Sequence, residues 1–341
     1  MSWILAPISA IFAVVSYIRW RLYRWRILPQ KKAPGPVVSV GNIGMGGTGK
    51  TPCAIWLAAE LKSRGFEPAI LTRGYRRTRK ERMLIIGDAP EAALAGDEPA
   101  LMARKLPDIP IAVDADRAAS AKEIGEANRR VFILDDGFQH LKLDRDFDIV
   151  LLPGNDLLSG EHFFPWGNLR DGRWRLSEAD TVILVGERAS IKDISYLGLN
   201  VPIFTAKKKP VSVMTITGQH LPLSELEGSR VVAFAGIANP SGFKETLESI
   251  GAEIAAIVPF HDHHRYSARD IKRIETVAEN KRVDILVTTE KDAVRLVGHQ
   301  FRLQTYVVSI EFAVDRAEEL IEIITEKIGS IDANTQMNES E

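Results

Sequence analysis

A single cysteine, Cys53, stands among 341 residues. One thiol closes no intramolecular disulfide, which excludes a stapled secreted scaffold and fits a reducing compartment. Net charge is nearly absent as well, at a formal −1, and a chain without a basic excess is not built to hold duplex nucleic acid. No long apolar run accompanies the start of the chain. The uncharged stretch from Trp3 to Ile18 has sixteen residues, which as a helix rises about 24 Å against the roughly 30 Å of a bilayer core. No Ala-x-Ala site follows that stretch and no positive charge precedes it, so it is not a cleaved signal peptide. No repeat is evident beyond strand–helix alternation. What is present, 45% hydrophobic and 26% charged residues, is the make-up of a chain that buries a real core. Its length suggests about two domains.

The near-zero charge is a sum of unequal parts. Residues 1–32 carry six basic side chains and no acidic one, residues 311–341 carry nine acidic and two basic, and the middle is neutral. The basic head follows the apolar stretch at once, as Arg19-Trp20-Arg21-Leu22-Tyr23-Arg24-Trp25-Arg26. Arginines and tryptophans in that order predict a monotopic or shallowly inserted helix at headgroup level, with the body on the cytoplasmic side. A helix packed on the protein's own core is the plainer alternative.

From residue 37 apolar runs of strand length alternate with helical segments. Strands are expected at 37–40, 69–72, 83–86, 109–113, 131–134, 149–152 and 181–185, with helices at 52–64, 99–105 and 117–127. This pattern predicts an α/β fold, a mostly parallel sheet with helices on both faces. Lys207–Lys209 and Pro210 then mark a break, followed by a short strand at 212–217. A second alternating unit begins at residue 230. The expected division is a membrane-associated helix at 1–30, a nucleotide-binding domain at 31–205, a β linker at 206–228, a smaller α/β domain at 229–330 and a frayed tail at 331–341.

Gly44-Met45-Gly46-Gly47-Thr48-Gly49-Lys50-Thr51 matches G-x-x-x-x-G-K-[ST] and lies between an expected strand and an expected helix. Its glycines let backbone N–H groups wrap phosphates, Lys50 reaches the β- and γ-phosphates, and Thr51 ligates Mg²⁺. Gly44, Gly46 and Gly49 also satisfy G-x-G-x-x-G, but Lys50 and Thr51 have no use in a dinucleotide turn. The matching half of such a site is an apolar strand ending in aspartate, here Val131-Phe132-Ile133-Leu134-Asp135-Asp136.

These motifs, together with Thr72-Arg73-Gly74-Tyr75, Gly96-Asp97-Glu98-Pro99, Asp135-Asp136-Gly137-Phe138-Gln139-His140, Pro165-Trp166-Gly167-Asn168-Leu169-Arg170, Asp262-His263-His264-Arg265-Tyr266 and Thr289-Glu290-Lys291-Asp292-Ala293, make the chain resemble the tetraacyldisaccharide 4′-kinases, the lipid A kinases of Gram-negative bacteria. The resemblance covers roughly residues 37–295. It departs where the family often has Ala and Glu-Pro and this chain has Trp166 and Asp171-Gly172. It implies a P-loop kinase that moves the γ-phosphoryl group of ATP to the 4′-hydroxyl of a tetraacylated glucosamine disaccharide 1-phosphate. It also implies Mg²⁺ as the metal and a place on the cytoplasmic face of the inner membrane. The lipid substrate and anionic headgroups would be its partners, with no nucleic acid.

By that resemblance Asp97 is the general base and His263 supports it from the second unit, although Asp97 by spacing alone could equally be a helix N-cap. Thr51, Asp135, Asp136 and Asp171 are the candidate metal shell. Arg73, Gln139, His140, Arg170 and Lys291 are candidates for substrate or phosphate, with surface ion pairing the plain alternative for the arginines; Lys291 is expected to touch nucleotide or line the domain interface, with a solvated loop lysine its plain alternative. His261, His263 and His264 around Asp262 fit no usual zinc spacing, and Asp144, Asp146 and Asp148 lack the glycine and distal glutamate of a calcium loop. A switch-type or partitioning ATPase at the membrane is the rival function. Members of that class place a lysine just before the Gly-Gly of the loop, where this chain has Met45.

Overall fold

Short apolar runs bounded by glycine and proline fold into strands here, and the amphipathic stretches between them fold into helices. The computed structural model describes residues 5–154, 162–187 and 189–339. Helix α1 (Ala6–Arg24) precedes β1 (Val37–Gly41), α2 (Lys50–Ser63), β2 (Glu67–Thr72), β3 (Met83–Ile85), α3 (Ala92–Ala95), α4 (Asp97–Lys105) and β4 (Ile111–Val113). Next come α5 (Arg117–Ile124), β5 (Arg130–Asp135), β6 (Phe147–Pro153) and β7 (Thr181–Val185). The remainder is β8 (Ile203–Thr215), β9 (His220–Leu221), β10 (Arg230–Ala235), α6 (Pro240–Ser249), β11 (Glu253–Pro259), α7 (Ala268–Lys281), β12 (Ile285–Thr289), α8 (Glu290–Ala293), β13 (Gln304–Val314) and α9 (Ala317–Glu339).

The strands form one mixed sheet in the order β11-β10-β12-β13-β8-β7-β6-β1-β5-β2-β4-β3, with β9 appended to β8. Pairing is parallel except at β13–β8, β3–β4 and β8–β9. β1 is buried along its whole length between β5 and β6, so the loop leaving its C-terminal end emerges at the sheet's centre. Helix α2 covers that centre with Cys53, Ala54, Leu57, Ala58 and Leu61, one apolar face at helical spacing.

The boundary expected at 206 falls inside a strand. β8 pairs in parallel with β7 on one side, and its partner on the other is antiparallel β13, from Ala206 opposite Val314 to Thr215 opposite Tyr306. Lys207–Pro210 reads as a break because lysine and proline are poor strand residues. Pro210 is tolerated because the ladder shifts register beside it, between Ser309 and Ile310. The two halves therefore share one sheet through a β8/β13 ribbon.

Helix α9 also departs from the expected division. Its Leu320, Ile321, Ile324 and Ile328 enter the core built on β1 and α2, not the core of the second half. Its backbone stays helical to Glu339, where a frayed tail was expected.

In α1 the arginines join the helix instead of following it. Trp20 and Tyr23 are buried against Leu141, so the plainer expectation of packing on the body describes this face. The opposite face leaves Ile8, Ile11, Val14, Val15 and Ile18 at least half exposed. Residues 1–4, which include Trp3, lie outside the described residues. No helix among the described residues is long and apolar enough to cross a membrane.

Candidate active site

The phosphate-binding loop runs from the end of β1 into α2, whose helical turn begins at Lys50, two residues before the expected start. Gly49 caps the helix at φ +90°, a conformation that favours glycine, and a Cβ there would press on Phe312 Cε2 at 3.3 Å. Lys50 Nζ donates to Asn42 Oδ1 at 3.3 Å, and the Asn42 amide donates to Thr48 Oγ1 at 3.0 Å. The loop's flank is sealed by the Met45 N–H donating to the Asn168 carbonyl at 2.6 Å.

Asp135 ends β5 beside the loop, where β1–β5 pairing sets it opposite Val40. Thr72 Oγ1 donates to its Oδ2 at 3.0 Å, while Oδ1 is a buried acceptor without a partner among the described residues. Burial, reinforced by Asp136 and Glu98, pushes its carboxyl up to about 7. Asp136 follows at φ +51°, meets Lys50 Nζ at 3.5 Å and accepts from Arg170 at 2.9 Å. Burial opposes its charge, but Lys50 and Arg170 hold its pKa below the usual carboxylate range. Burial also lowers the Lys50 pKa, against the pull of Asp136. Two acidic oxygens without full hydrogen bonding, next to a phosphate loop, suit Mg²⁺, which keeps several waters and needs few protein carboxylates. Among the described residues no three carboxylate, histidine or cysteine side chains converge into a metal cage.

Across the cleft, Asp97 is the first residue of α4, with Gly96 at the N-cap. Its carboxylate turns away from the helix end toward the other half of the molecule. His263 Nδ1 lies 2.8 Å from Asp97 Oδ2, and Arg295 Nε lies 3.4 Å from the same oxygen. A carboxylate only accepts, so Nδ1 carries the proton. Asp97 Oδ1 makes no hydrogen bond among the described residues and is left for a further donor. Lys291 pairs with Glu98 at 3.0 Å and with Asp262 at 3.6 Å, which makes it a fastening between the halves.

Sequence reasoning missed the support beneath this pair. Asp292 is fully buried and accepts from the Gly236 N–H, from Tyr266 at 2.7 Å and from Arg295 at 3.0 Å. Arg295 in turn donates to the Gly236 and His264 carbonyls. Tyr266 and Asp292 lie inside quoted motifs; Arg295 carries no local signal. The remaining histidines satisfy each other, His264 lying 3.0 Å from His261 and 3.2 Å from Asp270. Among the three alternating aspartates, Asp146 accepts the Val37 N–H and Asp148 pairs with Arg145, both structural roles.

A third corner is cationic. Arg73 is exposed on the cleft wall and enters no ion pair among the described residues. Buried Arg117, also missed, donates to His140 Nδ1 at 3.3 Å, and its Nε has no partner among the described residues. Burial, then Arg117 and Arg145, pulls the His140 pKa down to about 4, so His140 is neutral. Gln139 donates to the Asn42 carbonyl at 2.6 Å and to Asp171 Oδ2 at 3.1 Å. Asp171 sits behind the wall, its other oxygen accepting from Ser16 of α1 at 2.5 Å. Arg19 of the same helix donates to the Gln139 carbonyl at 3.0 Å, so α1 touches the site directly. The whole cleft encloses about 2480 Å³, ample for a nucleotide together with a second large substrate.

Comparisons with known proteins identify the family. The family model described as tetraacyldisaccharide-1-P 4′-kinase matches residues 1–329. The tetraacyldisaccharide 4′-kinase of Syntrophus aciditrophicus is 36% identical over 332 residues, 91% of this chain and 89% of that one. That of Vibrio campbellii is 34% identical over 324 residues, 95% of this chain and 92% of its own. The crystal structure of LpxK from Aquifex aeolicus in complex with ATP superposes with a TM-score of 0.77 at 29% identity, covering 96% of this chain and 99% of that chain. With the family's motifs present in order and meeting in one cleft, the chain belongs to the tetraacyldisaccharide 4′-kinase family.

Proposed function

We propose that the chain transfers the γ-phosphoryl group of ATP to the 4′-hydroxyl of a tetraacylated glucosamine disaccharide 1-phosphate, and that it does so at the cytoplasmic face of the inner membrane. The observation that carries this reading is that His263, hydrogen-bonded to Asp97, lines the same cleft as a complete phosphate loop. Phosphoryl transfer asks the protein mainly for positioning and charge compensation, plus a group to take the hydroxyl proton.

In this scheme the loop at residues 44–51 cradles the phosphates and Lys50 neutralises the β- and γ-oxygens. Asp97 Oδ1 accepts the 4′-hydroxyl proton as that oxygen bonds the γ-phosphorus, and the bond from γ-phosphorus to the bridging oxygen breaks to release ADP. His263 and Arg295 hold the Asp97 carboxylate in place through its Oδ2. Thr51, Asp135 and Asp136 would hold Mg²⁺, with Asp171 behind them and linked to the Asn42 carbonyl through Gln139. When bound, the metal would neutralise charge on the nucleotide's phosphates. Arg73, Arg117 and neutral His140 form the polar corner suited to the substrate's own phosphate, with Arg170 fixed on Asp136 and Lys291 closing the halves together.

Incubation of the purified chain with labelled ATP, Mg²⁺ and the tetraacyl disaccharide 1-phosphate tests the reading. The expected product is a doubly phosphorylated lipid. Hydrolysis of ATP without labelled lipid would favour the switch-ATPase alternative.

A further inference from the structure

The β8/β13 ribbon does more than join the halves, because it lies over the phosphate loop. Lys208 stands opposite Phe312 in the ribbon, and a Cβ on Gly49 would meet both, Phe312 at 3.3 Å and Lys208 Cε at 3.4 Å. From there Lys208 Nζ donates to the Gly47 carbonyl at 3.2 Å. Among the described residues no carboxylate pairs with this ammonium. Its neighbours Lys207 and Lys209 are exposed, as strand alternation requires. Burial holds the Lys208 pKa below the usual lysine range, and the nearby charge of Lys291 adds to that.

A partly shielded ammonium with one neutral carbonyl for company lacks a counter-charge. The partner it lacks is an anion. Gly47 lies in the stretch of loop backbone that wraps phosphates. Lys291, whose field Lys208 feels, is held by Glu98 next to the base Asp97. Lys208 therefore lines the same cleft as the loop, His263 and Lys291. Met45 leaves the loop without the lysine that switch-type ATPases carry, and the ribbon brings an ammonium to the same loop from outside.

We propose that Lys208 is a catalytic residue of the phosphoryl transfer, supplied in cis by the ribbon. When a nucleoside triphosphate binds, its ammonium leaves the Gly47 carbonyl for a γ-phosphate oxygen, and it stays there as charge spreads over the γ-oxygens in the transition state. This rests on the kinase reading of the same cleft. It also makes the γ-phosphate the tie that draws the ribbon onto the loop.

The test compares ATP and ADP in the full-length purified chain. Lys208→Met is expected to lower kcat/KM for ATP by about 100-fold, a conservative share of what a cationic finger contributes. ADP affinity should stay within about threefold because the lost contact is to the γ-phosphate. Lys208→Arg should recover part of the loss, and Lys209→Met should match the wild type. Equal losses for ATP and ADP, or an unchanged preference between them, would overturn the proposal. A footprint on the wild type covers the case in which the methionine variant fails to fold. An amine-acylating reagent read by mass spectrometry should modify Lys208 more slowly with a non-hydrolysable ATP analogue than with ADP, and equal rates would sink the idea. Wild-type chain that phosphorylates no lipid would refute the kinase reading, while the footprint still reports on Lys208 itself.

Discussion

Replacing Ile11 and Val15 together by aspartate strikes the outer face of α1 without touching its inner one. Ile8, Ile11, Val14, Val15 and Ile18 are 53%, 65%, 56%, 58% and 50% exposed. Fully burying a side chain of this size stabilises by roughly 1.5–3 kcal/mol, so covering the exposed half gives about 1 kcal/mol each and about 5 kcal/mol for the stripe. The arginines that follow add about 1 kcal/mol each near anionic headgroups. The double substitution forfeits about 2 kcal/mol of apolar contact and sets two carboxylates against a negative surface, costing about 2 kcal/mol more. A change of about 4 kcal/mol lowers the membrane partition coefficient roughly a thousandfold. Flotation with vesicles rich in phosphatidylglycerol, at low and at high salt, measures it. Wild type should float under both conditions, more weakly at high salt, and the variant should remain in the soluble fraction with an unchanged melting temperature. Equal flotation of the two proteins would refute the assignment of this face to the membrane.

Other outcomes follow from the site and its frame. Asp97→Asn and His263→Ala should each lower kcat by about 10²–10⁴-fold while ATP affinity holds; near-wild-type turnover of the folded variants would remove the pair from the mechanism. Gly74→Ala should destabilise by about 2–4 kcal/mol in denaturant titration. At φ +65° a Cβ there would meet Val113 Cγ1 at 2.4 Å and the Ala95 carbonyl at 2.6 Å. His140 titrates near 4 in the folded protein and near 6.5 unfolded, so only the unfolded chain gains its proton as pH falls through that interval. Its contribution is intact above 6.5 and is lost toward 4, roughly 1 kcal/mol once screening at its half-buried ring is allowed for. His140→Gln should flatten the stability–pH slope there, and an identical slope would contradict the assignment.

The phosphate loop is legible in the sequence because strand, glycines, Lys50, Thr51 and helix are contiguous. The Asp97–His263 pair is not, since 166 positions separate its members and only the family's motif order links them. Spacing left Asp97 open as a helix cap, and the fold answers by setting Gly96 at the cap. The ribbon hid behind its composition, because a strand carrying three lysines and a proline has little strand propensity and is held by its two neighbours. Arg117, Arg295 and Lys208 escaped for a related reason. Each acts through a partner from a distant segment, and nothing adjacent in sequence signals that partner.

The return of α9 to the first half governs when the kinase half can fold. Its core lacks Phe312, Leu320, Ile321, Ile324 and Ile328 until the last tenth of the chain is available. A ribosome releases the N-terminal segment first, yet the layer over α2 closes only after the second half has been made and β13 has paired with β8. An isolated fragment ending before β13 therefore exposes the apolar edge of α2 and has no finished nucleotide site. A fragment that stops before β13 is therefore expected to bind nucleotide more weakly than the full chain, which titration of the two proteins side by side would check.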